Sequence, residues 1–433
     1  MPLHTVLIAT LALLGPVSGD VGPKCPADLV RYCEEIAHLT ENAAVRRALE
    51  YVEATDAEAL RDLITLTEIP APPFKEEVRA RKYAEMLREA GADSVWIDEV
   101  GNVIALRRGQ VGGRVLAVSG HLDTVFPEET DVTVRQRGDT LYAPGIVDDT
   151  RGLVAVLYIL RALEAAQLET ASDVLFIGTV GEEGLGDLRG VKHLFREGGP
   201  RIDAFISIDG GGDRRIVHQA LGSRRYRVTF KGPGGHSWGA FGMANPSHAL
   251  GRAIAIFDRE ADAFTRDGAR TSYNVGRIGG GTSVNSIPFE AWMEVDMRSE
   301  SQERLMQIDS IFRAAMQQAL EEQNQVHRRG PGLEVNVQLV GDRPSGETAR
   351  DATLLLRAQA VIRHFGDEPA LSRSSTDSNI PIARGIPAIT IGGGGQGGNA
   401  HSPDEWYRNE GAVEGLQRAL LIVIAEAGLA GGV

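Results

Sequence analysis

The order of apolar and polar positions divides the chain into stretches of different rhythm. Residues 26–69, "PADLVRYCEEIAHLTENAAVRRALEYVEATDAEALRDLITLTEI", carry apolar residues at helical spacing, broken by Asp and Thr at positions suited to caps. The chain should therefore open with helices. Four short β-rich runs follow further on, "RVLAVSG", "DVLFIGTV", "DAFISID" and "IPAITIGG", each ending in Gly or a charged residue. Strongly helical stretches such as "GLVAVLYILRALEAAQ" lie between them. Runs apolar on both faces and alternating with helices are what a mainly parallel sheet covered by helices requires, so the spacing predicts an α/β unit.

From about Leu221 the rhythm changes. "RRYRVTFKG" and "AWMEVDMRS" alternate polar with apolar, "GLEVNVQLVG" reads as a further strand, and residues 247–264 and 301–323 read as two amphipathic helices. Half-exposed strands with two long helices predict a small antiparallel sheet covered on one face. The expected organisation is a leader at 1–19, an α/β unit at 20–220, an inserted α+β lid at 221–342, and the rest of the α/β unit at 343–433. A chain of 433 residues is long enough for this, and no internal repeat or low-complexity linker interrupts it.

Composition narrows the partners. Lys plus Arg number 45 against 59 Asp plus Glu, a formal charge of -14, and no basic run is dense enough to follow a phosphate backbone. Nucleic acid is not an expected partner. The N-terminal "HTVLIATLALLGPVSG" has the apolar core and small-residue end of a signal peptide, predicting cleavage near Gly19 and export, periplasmic or secreted. No Lys or Arg precedes it, so a membrane anchor or a plain N-terminal helix is the alternative; a span needs about 20 apolar residues. Cys25 and Cys33 are the chain's two cysteines. In an oxidising compartment they can pair, and otherwise they stand as two separate thiols; seven intervening residues with no second pair do not make a zinc finger.

In an open parallel sheet, ligands bind beyond the carboxyl ends of the strands. Reading the polar residues that follow the four runs gives His121 in "HLDT", Glu182 and Glu183 in "GEEG", Asp209, and His401 in "HSPDEW". A further pair, Asp148 and Asp149 in "GIVDDTRG", opens the apolar helix. Singly, each has a plain structural reading: a hydrogen-bonded histidine, a helix N-cap, a solvated turn. Together at one sheet edge, two imidazoles and several carboxylates make a divalent-metal site. The N/O donor set suits zinc, with cobalt or manganese possible. A dinuclear site needs a bridging carboxylate, and a carboxylate beside it that is not a ligand can take a proton from water.

"SGHLDTV", "GIVDDTRG", "GEEGLGDLRG", "SIDG" and "GGHSW" resemble, in order and spacing, the M20 family of metallopeptidases, over nearly the whole chain after the leader. The resemblance implies a two-zinc catalytic unit of the zinc-exopeptidase type, interrupted by a lid often used for dimerisation. It implies that His121 and Asp209 hold one metal, Glu183 and His401 the other, and that Asp148 bridges them through a cis bond to Asp149. It further assigns Asp123 to orient His121, Glu182 as general base, and His236 to stabilise the oxyanion, often across a dimer interface. Arg298 and Asn285 match substrate-contacting positions, and Ser375 lies in the carboxylate-pocket loop "SSTDSNI", where Asp377 reads as a structural anchor. Asp209, rather than Glu, tilts the expected activity toward an aminopeptidase or dipeptidase acting on short peptides. A carboxypeptidase or N-acyl-amino-acid deacylase is the alternative. Arg151 stands where many relatives carry Lys.

Three other features invite different readings. "GGHSWG", residues 234–239, contains Gly-x-Ser-x-Gly with Ser237 at the nucleophile position, but an elbow needs a buried strand running straight into it and a helix behind it. "GGGGQGG", residues 392–398, lacks the Gly-Lys-Ser/Thr ending of a phosphate loop. A non-catalytic peptide-binding relative would be expected to lack Glu182 or a ligand, and none is missing.

Overall fold

The computed structural model describes residues 25–212 and 214–431. The expected leader at 1–19 lies outside the described residues. Cys25 and Cys33 are joined in a disulfide, which settles the alternative left open above. The first three helices are Val30–Glu41, Ala43–Ala54 and Asp56–Thr67. Their caps differ from expectation: Asn42 caps the second helix through its side chain, while the Thr55 hydroxyl donates back to Tyr51 O instead of capping the third.

A nine-stranded sheet forms the centre of the main unit. The four β-rich runs become Asp173–Thr179, Val115–His121, Ala204–Ile208 and Ala388–Ile391, adjacent in that order and all parallel. Antiparallel strands extend the sheet on both sides, Val103–Arg107 and Ser94–Ile97 on one, and Arg215–Ala220 on the other. The helix Thr150–Ala165 packs against this sheet with 13 of its residues buried, as expected for a helix apolar on every side. Its first turn comes close to the strand ends. A Cβ on Gly152 would lie 2.2 Å from Ile208 O, so only glycine permits the approach.

Between Gly222 and Arg343 the chain builds a separate four-stranded antiparallel sheet, in the order Thr271–Gly280, Glu290–Ser299, Gly222–Lys231, Glu334–Arg343. The helices Pro246–Thr265 and Gln302–Val326 cover it. It has its own apolar core, in which Tyr226, Phe257, Met293 and Phe312 are fully buried. Among the described residues, no helix is long and apolar enough to cross a membrane.

Candidate metal centre

The parallel strands deliver the donors to one edge. His121 is the last residue of its strand, Glu182 and Glu183 come three and four residues after Thr179, and Asp209 directly follows Ile208. His401 arrives from the hairpin between Gln396–Gly398 and Trp406–Arg408, where its backbone is left-handed (φ 65°). A side chain held in that sparsely populated region is over-determined by its surroundings, as functional residues often are.

The Asp148 carboxylate lies between the two histidines. Its Oδ1 is 3.0 Å from His121 Nε2, and its Oδ2 is 3.0 Å from His401 Nε2. His401 Nε2 also lies 2.7 Å from Glu183 Oε1. One carboxylate thus turns a different oxygen to each imidazole, the disposition a bridging ligand between two cations requires. His121, Asp148 and Glu183 also have ligand atoms all within 4.8 Å of one another. Asp209 lines the same cavity, of about 550 Å³. Burial, reinforced by the neighbouring Asp148 carboxylate, pushes the Asp209 carboxyl up to about 6. Such crowding of negative charge is what a divalent cation relieves, so the residues present fit the expected metals.

A second set of carboxylates holds the backbone that carries these donors. Asp149 caps the helix by accepting from Gly152 N at 3.0 Å, and also accepts from His121 N at 2.9 Å and Gly210 N at 3.0 Å. Glu405 accepts from Gly145 N, Val147 N and Asp148 N at 2.7 to 3.0 Å. Burial lifts the Glu405 carboxyl to about 7 against the pull of these amides. Asp123 accepts from Glu182 N at 3.0 Å and Glu183 N at 2.8 Å. Asp123 also faces the His121 ring, with both its main-chain carbonyl and its carboxylate near Nδ1. The ring Nδ1 donates to Asp123 O, the main-chain carbonyl, at 3.0 Å, whereas the nearest carboxylate oxygen is 3.6 Å away. With a cation bound, Nδ1 would keep that proton and the Nε2 lone pair would be free to ligate. Asp123→Ala is expected to loosen the Glu182–Glu183 turn and weaken metal affinity about 10- to 100-fold, read by metal titration of the apoprotein.

Glu182 is buried beside the donors. Burial holds its carboxyl well above the usual range, and the Arg343 guanidinium opposes that shift. Arg343 Nη1 lies 3.2 Å from Glu182 Oε1 and 3.1 Å from Ser375 Oγ, while Nη2 donates to Glu182 O. Arg343 ends the last strand of the smaller sheet, so that sheet contacts Glu182 directly. Ser375 and Arg298 both line the cavity.

His236 and Asn285 are not among the cavity's lining residues. They sit together on the smaller unit, where Gly235–His236 pairs with Ser286–Ile287 and Ser237 N donates to Asn285 O. His236 Nδ1 accepts from Trp238 N and Gly239 N, both at 3.2 Å, so its proton is on Nε2 and that atom is a donor. No helix follows "GGHSWG" directly; the next begins at Pro246, and the stretch lacks the strand-to-helix geometry of an elbow. The glycine run at 392–398 is close-packed: a Cβ on Gly392 would stand 2.4 Å from Gly211 O. The carbonyls of Gly393 and Gly394 accept from buried Arg151, so that part of the run serves packing.

The sequence reading missed Arg343, Arg225, Arg215 and Glu405. Glu405 sits inside "HSPDEW" and Arg343 ends a strand in "GDRPSG", but nothing in their local pattern separates them from surface charges.

A mainly parallel α/β scaffold presenting two imidazoles, several carboxylates and a buried Glu at one strand edge defines a metal-dependent hydrolase. Residues 117–425 match the peptidase family M20/M25/M40, and the chain belongs to that family. It is 27% identical over 380 residues to a putative LysW-lysine/LysW-ornithine hydrolase of Pyrobaculum aerophilum, covering 86% of this chain and 97% of that protein. Proteins of the same description from Pyrococcus abyssi and Thermococcus kodakarensis match over only 36% of their own length. The fold is shared with aminopeptidase PepT of Bacillus cereus, at a TM-score of 0.68 and 20% identity over 86% of this chain and 99% of that one. It is also shared with the dipeptidase Dug1p of Saccharomyces cerevisiae, at a TM-score of 0.69 and 14% identity over 89% and 99%.

Proposed function

We propose that the protein is an exported dinuclear zinc exopeptidase that hydrolyses the amide bond of short peptides as an aminopeptidase or dipeptidase. The observation that carries this reading is Asp148, which faces His121 with one oxygen and His401 with the other, beside buried Glu182. His121 and Asp209 would hold one cation, Glu183 and His401 the other, with Asp148 shared. When bound, the two cations supply Lewis acidity to the scissile carbonyl and make water more acidic. Glu182 accepts the proton of the attacking water and returns it to the leaving amine, which balances the hydrolysis. Arg298 and Ser375 line the cavity where the substrate would lie, and Asn285 would contact it from the smaller unit. The segment 221–342 acts in this reading as a lid. Cobalt or manganese could occupy the same donors.

His236 would donate its Nε2 proton to the oxyanion. Since it does not line the cavity of its own chain, it would do so on lid closure or from the second copy in a homodimer. His236→Ala is then expected to lower kcat by roughly 10²- to 10³-fold, as for loss of an oxyanion donor. Ser237→Ala should change it little, and equal losses would restore the serine to consideration. Export is supported by the apolar stretch at 4–19 and by the Cys25–Cys33 disulfide, which oxidising compartments favour.

The test is a screen of the metal-loaded protein against di- and tripeptides and N-acyl amino acids with free or blocked ends. An absolute need for a free amine gives the aminopeptidase or dipeptidase. Cleavage of amine-blocked substrates with a need for a free carboxylate would replace it with the carboxypeptidase or deacylase alternative.

A further inference from the structure

Besides the metal donors, four guanidiniums line the cavity: Arg215, Arg225, Arg298 and Arg343. That is more positive charge than one substrate carboxylate needs. Arg343 is matched by Glu182. Arg225 and Arg298 share one acid. Arg225 Nε donates to Asp296 Oδ1 at 2.9 Å and Arg298 Nε to Asp296 Oδ2 at 2.8 Å, so a single carboxylate orients both forks and leaves one positive charge over. Both use the inner Nε for this. The terminal nitrogens of Arg298 stay available to a ligand, while Arg225 spends one on Gly184 O. Arg215, at the start of a strand of the main sheet, donates to the main-chain oxygen of Asp209 at 3.1 Å, and no ion pair among the described residues engages it. Two uncompensated positive charges therefore face one cavity from two sides, one on the main sheet and one on the smaller sheet. The carboxylates of Asp148, Glu183 and Asp209 are committed to the cations in the function proposed above.

We infer that the substrate carries two carboxylates, a terminal one and an acidic side chain, held between Arg215 and the Arg225–Asp296–Arg298 bracket. This rests on the peptidase reading and narrows it to acidic short peptides. Guanidiniums pre-oriented by a shared acid form charge-assisted, directional bonds to carboxylate, and a neutral isostere forfeits them.

The test pairs isosteric substrates, Asp-Ala with Asn-Ala and Ala-Asp with Ala-Asn, on the metal-loaded protein. At least one acidic member should exceed its neutral partner in kcat/KM by roughly tenfold or more, the discrimination that a charge-assisted hydrogen bond to a guanidinium supplies. Arg215→Gln and Arg225→Gln should each reduce that ratio. In parallel, calorimetry on the same holoprotein compares glutarate with butyrate, and glutarate should bind roughly tenfold more tightly. Neutral peptides cleaved as well as both acidic ones, with equal binding of the two acids, would overturn the inference and leave the peptidase standing. Preference for glutarate without cleavage of any peptide would overturn the peptidase and keep the anion site.

Discussion

Glu182→Ala is expected to abolish turnover while the protein still binds its metal. The carboxylate is buried beside Glu183 and Arg343, and among the described residues no hydrogen bond or ion pair joins it to His121 or His401, so its removal leaves the donor array complete. Removing a general base typically costs about 10²- to 10⁴-fold, and the upper end is expected where the same group must also protonate the leaving amine. The measurements are kcat on the best peptide of the screen and metal content after dialysis. Low metal content would make Glu182 a ligand, and retained activity would remove it from the chemistry. Glu182→Gln should be equally inactive. Its amide oxygen can still accept from Arg343 Nη1, but it cannot take a proton, so equal loss in both variants separates proton transfer from packing.

The second large effect is metal removal. Chelation should take activity to background, zinc or cobalt should restore it, and a serine-directed inhibitor should do nothing. Without cations, the carboxylates of Asp148, Glu183 and Asp209 and the two imidazoles remain crowded, and burial raises the Asp209 carboxyl to about 6. Cations that relieve this crowding bind the folded state only, so they should also raise the melting temperature, by an amount that grows with metal concentration. A chelated enzyme that kept its activity, or one silenced by the serine reagent, would sink the metal reading. His401→Ala should mimic partial chelation, because its ring reaches both Glu183 and Asp148.

Much of the main unit could be read in the sequence because each central strand is buried on both faces and so appears as an unbroken apolar run. The donors could be read for the same reason: the polar residue after such a run has only the sheet's carboxyl edge to occupy. The strand Thr271–Gly280 was not anticipated. Its pairing slips between Val275 and Arg277, and a bulge around a glycine breaks the two-residue period that would have marked it. The outer strand Ser94–Ile97 is short and mostly exposed and lacks that signature, whereas Val103–Arg107 is buried and apolar but was passed over. Arg225 and Arg343 stayed hidden because arginines on half-exposed strands are ordinary. Only the placing of the smaller sheet against the strand edge turns them toward Glu182 and the cavity. His236 was picked out on family resemblance, and neither it nor Asn285 lines the cavity that holds the donors.

Asp149, the cap of the apolar helix, has a consequence for how the centre is held together. By accepting the amides of His121, Gly152 and Gly210 at once, its single carboxylate ties two strand ends and a helix start into one plate. The backbone that carries the metal donors of those strands is thereby braced by the protein's own amides before any cation or peptide arrives.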